Sequence, residues 1–105
     1  MVQPTMREKR RYIHFRFECS CRLTESEARD EVYRAILSFL GELGFSQANP
    51  RLVEFNDNSG VLLCSNSEVQ KVKAALALVT KIKGENGCIR VLKVSGMISK
   101  VRGDM

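Results

Sequence analysis

The sequence predicts an α+β domain, a ferredoxin-like (RRM-like) βαββαβ sandwich with two helices on one face of an antiparallel sheet and a short C-terminal helical turn. Three observations predict it. The stretch "YIHFRF" at 12–17 alternates with period two. Two stretches, opening at Thr24 and Ser67, carry a capping box ahead of apolar residues at helical spacing. Between them "RLVEFNDNSGVLLCSN" has the form of a hairpin.

In the first strand Ile13, Phe15 and Phe17 make an apolar face, while Tyr12, His14 and Arg16 make a polar and aromatic one. The first helix starts at the Thr24/Glu27 capping box. Its early acids, Glu25, Glu27, Asp30 and Glu31, suit the positive end of a helix dipole. Ala28, Val32, Ala35, Ile36, Phe39 and Leu40 form its core stripe, and Gly44 is the expected stop. Residues 52–55 and 61–64 are the hairpin arms, joined by "NDNSG", whose residues tolerate positive φ. The second helix starts at the Ser67/Gln70 capping box, buries Val69, Val72, Leu76, Val79 and Ile82, and closes at Gly84. Lys71, Lys73, Lys81 and Lys83 are left for its solvent side. A turn at "ENG" leads into a last strand, "CIRVLKVSG", which buries Ile89, Val91 and Val94.

At 105 residues this is one domain, 1–105, with a basic N-terminal segment at 1–11 and a tail at 97–105. An apolar content of 44% and a charged content of 28% are those of a globular chain. No apolar run approaches the ~20 residues that span a bilayer, and no secretory pattern opens the chain, so an intracellular protein away from membranes is expected. Cys64 and Cys88 sit in apolar runs, and all four cysteines are expected to be reduced. Charge is segregated. Residues 1–23 hold six Lys/Arg against two acids, residues 24–70 three against eight, and residues 71–105 eight against two. Two basic ends around an acidic middle point to a polyanionic partner.

No catalytic constellation is legible. The single histidine, His14, has no acid or thiol beside it in sequence, and there is no P-loop, G-x-G-x-x-G or nucleophile elbow. "ECSCRLTESE" carries Arg22 but no glycine to cradle a phosphate in the first loop. Cys19 and Cys21 could offer two thiolates to a soft metal, making a ferredoxin-like metal-binding module one alternative; a protein–protein adaptor is another. The spacing C-x-C without a third ligand nearby favours two packed thiols, with no metal and no cofactor held by the chain. Base readout of the RRM kind lacks its aromatic on the third strand, whereas phosphate contact needs only Arg and Lys. In this fold the first strand starts where the last one ends. That brings "REKRR" beside "SGMISKVRG" and joins Arg7, Lys9, Arg10 and Arg11 to Lys100 and Arg102 as one RNA-binding surface. Tyr12 and His14 on the same strand are the candidates for stacking on a base.

Two motifs carry a family resemblance. "QPTMREKRRYIHFRF" resembles the N-terminal signature of archaeal and eukaryotic ribonuclease P protein component 2: Pro4, Thr5, Arg7, Lys9, Arg10, Arg11, Tyr12 and Ile13 match it, with Met6 in place of leucine. "VLKVSGMISKV" resembles the closing Val-Ser-Gly-Thr-Ile segment, with Val94, Ser95, Gly96 and Ile98 matching and Met97 replacing threonine. The resemblance runs end to end. It implies a non-catalytic, RNA-binding subunit of a ribonucleoprotein endonuclease, in which Mg²⁺ serves the catalytic RNA in removing the 5′ leader of precursor tRNA. It also implies ribonuclease P RNA, precursor tRNA and protein component 3 as partners, with room for a homo-oligomer of that heterodimer. The location it implies is cytoplasmic in an archaeon, or nucleolar in a eukaryote.

Overall fold

A computed structural model of the chain describes residues 9–96. Its elements are β1 (Arg10–Cys19), α1 (Glu25–Ala48), β2 (Arg51–Asn56), β3 (Ser59–Ser65), a 3₁₀ turn (Asn66–Glu68), α2 (Val69–Ala77), β4 (Lys81–Ile82) and β5 (Glu85–Ser95). Every strand pairing is antiparallel and the order across the sheet is β2-β3-β1-β5-β4. This is the expected βαββαβ arrangement with one short strand added at an edge. The expected helical turn in the tail lies outside the described residues.

The central strand is β1, flanked by β3 and β5, so its alternation decides both faces of the sheet. Ile13, Phe15 and Phe17 are buried against Ala28, Val32 and Ile36 of α1 and Val72, Ala75 and Leu76 of α2. Edge-to-face contacts link Phe15 to Phe17 and Phe17 to Phe55, with ring centroids 5.6 and 5.9 Å apart. Gly60 faces Phe15 across the ladder. A Cβ there would come within 2.9 Å of both the Phe15 ring and the Glu54 carbonyl, so only glycine fits.

The Thr24 capping box forms: Glu27 N–H donates to Thr24 Oγ1 (3.2 Å) and Thr24 N–H to Glu27 Oε1 (3.0 Å). The helix does not stop at Gly44, however. Its break falls at Gly41 (φ 77°, ψ 178°), after which a second helical stretch runs on to Asn49, whose left-handed conformation (φ 45°) ends it. Glycine adopts such a φ without a Cβ clash, and Asn is the residue that tolerates it next best. Of the expected core stripe, Val32 and Ile36 are fully buried, but Phe39 is 48% exposed.

Helix α2 differs more. Residues 66–68 form a 3₁₀ turn, Ser67 Oγ lies 3.2 Å from Glu68 Oε2, and no side chain caps α2, so the Ser67/Gln70 box is absent. The helix ends at Ala77. Lys83 and Gly84, both left-handed (φ 54° and 82°), make a two-residue hairpin turn between β4 and β5 rather than a helix stop. Ile82 reaches the core from β4 instead of from a helix face. Two consecutive positive-φ residues are the signature of a hairpin, and β-branched Val79 and Thr80 weaken the helix just before it. The β2–β3 hairpin turns on Asp57 and Asn58 in the same way (φ 52° and 61°).

Candidate nucleic-acid interface

The register of β1 against β5 pairs Tyr12 with Ser95 and Ile13 with Val94, so the basic start of β1 lies beside the end of β5. The Arg11 guanidinium reaches across to Gly96: a Cβ on that glycine would sit 3.2 Å from Arg11 Nη1. Arg7, Lys100 and Arg102 lie outside the described residues.

Within the cluster the three basic residues differ. Lys9 is exposed, and its carbonyl accepts Asn66 N–H (2.8 Å), which extends the β1–β3 ladder and fixes its backbone. Arg10 is half-buried and donates from Nη2 to the Asn49 carbonyl (2.7 Å), the capping residue of α1. A cation at a helix C-terminus satisfies unpaired carbonyls and complements the dipole, so Arg10 ties β1 to α1. Arg11 donates to the Arg10 carbonyl (3.1 Å).

The face of β1 opposite the helices carries Tyr12, His14 and Arg16, with Leu63, Val61 and Ser59 opposite them on β3 and Ser95, Lys93 and Arg90 on β5. This is not the open platform that the alternation suggested. Val61 is wholly buried and His14, paired with Val61 on one side and Lys93 on the other, is 1% exposed. Its ring is therefore closed off from stacking in this chain; Tyr12 beside it is half-buried. Solvent-facing charge appears instead toward the far end, where exposed Arg16 pairs with exposed Arg90 across the strands, and Arg90 also meets Glu18 (3.2 Å). Arg90 and Lys93, which the sequence reading did not single out, share this face. The signal was the basic residues recurring in the last strand, which becomes informative once the two strands are known to pair.

The first half of α1 has the opposite charge character. Glu27 holds Lys83 at 2.6 Å, a bond that pulls the Glu27 carboxyl below its ordinary range and raises the Lys83 ammonium. Glu25 and Glu31 pair with Arg29 and Arg34 on the same helix. Between α1 and α2 lies a groove of about 310 Å³, lined in part by Phe39, Ala75 and Leu78, with Leu78 62% exposed. No group of three or more His, Cys, Asp or Glu that could hold a metal ion occurs among the described residues. Among the described residues Cys19 and Cys21, the soft-metal alternative, belong to no such group.

Comparison with known proteins agrees with this geometry. A family model described as the Rpp14/Pop5 family matches residues 11–105. Ribonuclease P protein component 2 of Pyrococcus furiosus is 36% identical over 103 residues, covering 96% of this chain and 86% of its own. The protein of that name from Methanocaldococcus jannaschii is 39% identical over 101 residues, covering 96% of this chain and 75% of its own. A chain in the cryo-EM structure of yeast ribonuclease MRP superposes with a TM-score of 0.73 over 97% of this chain and 94% of that one, a likeness of fold at 11% identity. The resemblance carried by the two terminal motifs therefore holds over almost the full length, and the chain belongs to the Rpp14/Pop5 family.

Proposed function

We infer that this chain is an RNA-binding protein subunit of ribonuclease P and takes part in removing the 5′ leader from precursor tRNA. The observation that carries the reading is the end-to-end match to proteins named for that role. The juxtaposition of the β1 start with the β5 end supports the RNA-binding part. An RNA that packs its own phosphates together repels itself, and a rigid cationic surface lowers that cost and the Mg²⁺ the RNA requires. Lys9 and Arg11 are the described residues that supply this surface; Arg7, Lys100 and Arg102 are assigned to it from the sequence alone. Arg10 acts mainly by holding β1 against α1.

In this reading the chain holds no cofactor and performs no bond-breaking step; the chemistry belongs to the RNA and its Mg²⁺. The acidic flank of α1 would repel RNA, which leaves the helix layer and its apolar groove for protein component 3. The complex would act in the cytoplasm of an archaeon.

The test is cleavage of a precursor tRNA by an archaeal-type ribonuclease P RNA with component 3 at limiting Mg²⁺. Adding the chain should restore 5′-leader removal. No gain, where a known component 2 works, would overturn the reading.

A further inference from the structure

Two thiols meet where β1 hands over to α1. Cys19 ends β1 and Cys21 follows two residues later; their Sγ atoms are 3.6 Å apart, and the Cys19 thiol donates to the Cys21 carbonyl (3.2 Å). The loop that carries them is clamped. Asn58, from the β2–β3 turn, donates Nδ2 to the Cys21 carbonyl (2.9 Å) and accepts Leu23 N–H on Oδ1 (2.9 Å). Its own carbonyl accepts Phe17 N–H (2.7 Å), and Arg22 bonds Asp57 (2.9 Å). Both ends of the dithiol are thereby held by one turn, and the sulfurs stay in contact without a bond between them.

We propose that Cys19 and Cys21 form a redox site, closing reversibly to an intraloop disulfide when a small-molecule disulfide such as oxidised glutathione is the oxidant. A disulfide needs its sulfurs at about 2.05 Å, so the pair has roughly 1.5 Å to close, which side-chain rotation supplies. The exchange balances. One cysteine gives up its proton and attacks a sulfur of the oxidant, forming a mixed disulfide and releasing one small thiol. The second cysteine gives up its proton and attacks the protein sulfur, forming the Cys19–Cys21 bond and releasing the second small thiol. Two electrons pass to the oxidant, and the two protons end on the released thiols.

The other two thiols cannot compete for this bond. Cys64 is buried, and burial pushes its thiol up to about 11, so it forms no thiolate near neutral pH. Cys88 is exposed but pairs with Glu18 in the ladder, and its Sγ lies 3.9 Å from the Glu18 carboxylate. Cys19 is opposite Gly87, one residue along, so Cys19 and Cys88 point to opposite faces of the sheet. The cost of ionising Cys19, whose thiol is raised chiefly by burial, slows the exchange without blocking it. The dithiol sits at the far end of β1 from Arg10, about 30 Å of strand away, and so apart from Lys9 and Arg11.

The sequence provides a clean assay. Cleavage after Arg and Lys leaves Cys19 and Cys21 together in residues 17–22, with Cys64 and Cys88 each in a different peptide. The full chain is oxidised with oxidised glutathione, its free thiols are blocked with a maleimide, and the digest is weighed. Peptide 17–22 should be unlabelled, lighter by two hydrogen atoms, and restored by dithiothreitol. In a Cys19→Ser variant the same peptide should instead keep glutathione on Cys21, since no second thiol is left to displace it. Two maleimide labels on the wild-type peptide, a persistent glutathione adduct there, or a cross-link to the Cys88 peptide would each overturn the proposal.

Discussion

Lys9 and Arg10 are neighbours of the same charge with different duties, and single substitutions separate them. Arg10 contacts the α1 cap, so Arg10→Ala should cost roughly 1 kcal/mol of stability through a lost charge-assisted bond at a helix end. Lys9 is exposed, and only its backbone bonds to β3, so Lys9→Ala should leave stability within about 0.5 kcal/mol while weakening RNA binding. Denaturant unfolding and RNA titration of both variants check this, and equal stability losses would refute the division of labour. From the sequence the two were indistinguishable members of one basic run. What told them apart was the end of α1, thirty-nine residues away along the chain. His14 makes the same point. Alternation puts it on the second face of β1 with Arg16, yet His14 is buried and Arg16 exposed, a difference that the period-two pattern does not carry.

Among the elements, α1 was largely legible because its start is encoded locally: Thr24 and Glu27 satisfy each other's backbone groups within one turn. The length of α2 was not, because the apolar spacing of Val79 and Ile82 fits a helix as well as the loop and strand that form. The deciding feature, left-handed Lys83 beside Gly84, is weak in sequence, since lysine seldom adopts that conformation. The payoff of the hairpin is tertiary: it carries Lys83 to Glu27 and so fastens β4–β5 to the first turn of α1. That bond has a pH signature. The carboxyl of Glu27 is lowered, first by the Lys83 hydrogen bond, so its stabilisation is complete above the carboxyl's unfolded value and lost as pH falls through the folded one. The Lys83 ammonium is raised by the same bond, so that contribution is complete below its unfolded value and lost as pH rises through the folded one. Unfolding free energy measured from neutral pH into acid should therefore fall less steeply in Glu27→Gln than in the parent chain. Parallel curves would mean that the bond does not persist in solution.

For the whole molecule, part of the charge segregation of the sequence persists in space: Lys9, Arg10 and Arg11 gather at the start of β1, beside the end of β5, and acids line the first half of α1, while Lys83 of the basic C-terminal third crosses to Glu27. That the start of β1 lies beside the end of β5 was predictable because a βαββαβ chain pairs its first and last strands antiparallel, whatever their side chains; Lys100 and Arg102 lie outside the described residues. Such a surface is read most directly by salt. Each phosphate contact releases a counterion, so removing Lys9 and Arg11 together should make the dependence of log affinity on log salt shallower by about 1–2. Arg34 is the matching control. It is exposed, equally charged and paired with Glu31 on the helix layer, so Arg34→Ala should leave the slope as it was. A flattened slope in the double variant alone would place the RNA at the start of β1. The same slope in all three proteins would remove the phosphates from that surface, and equal flattening by Arg34→Ala would mean that net charge alone, and no particular face, attracts the RNA.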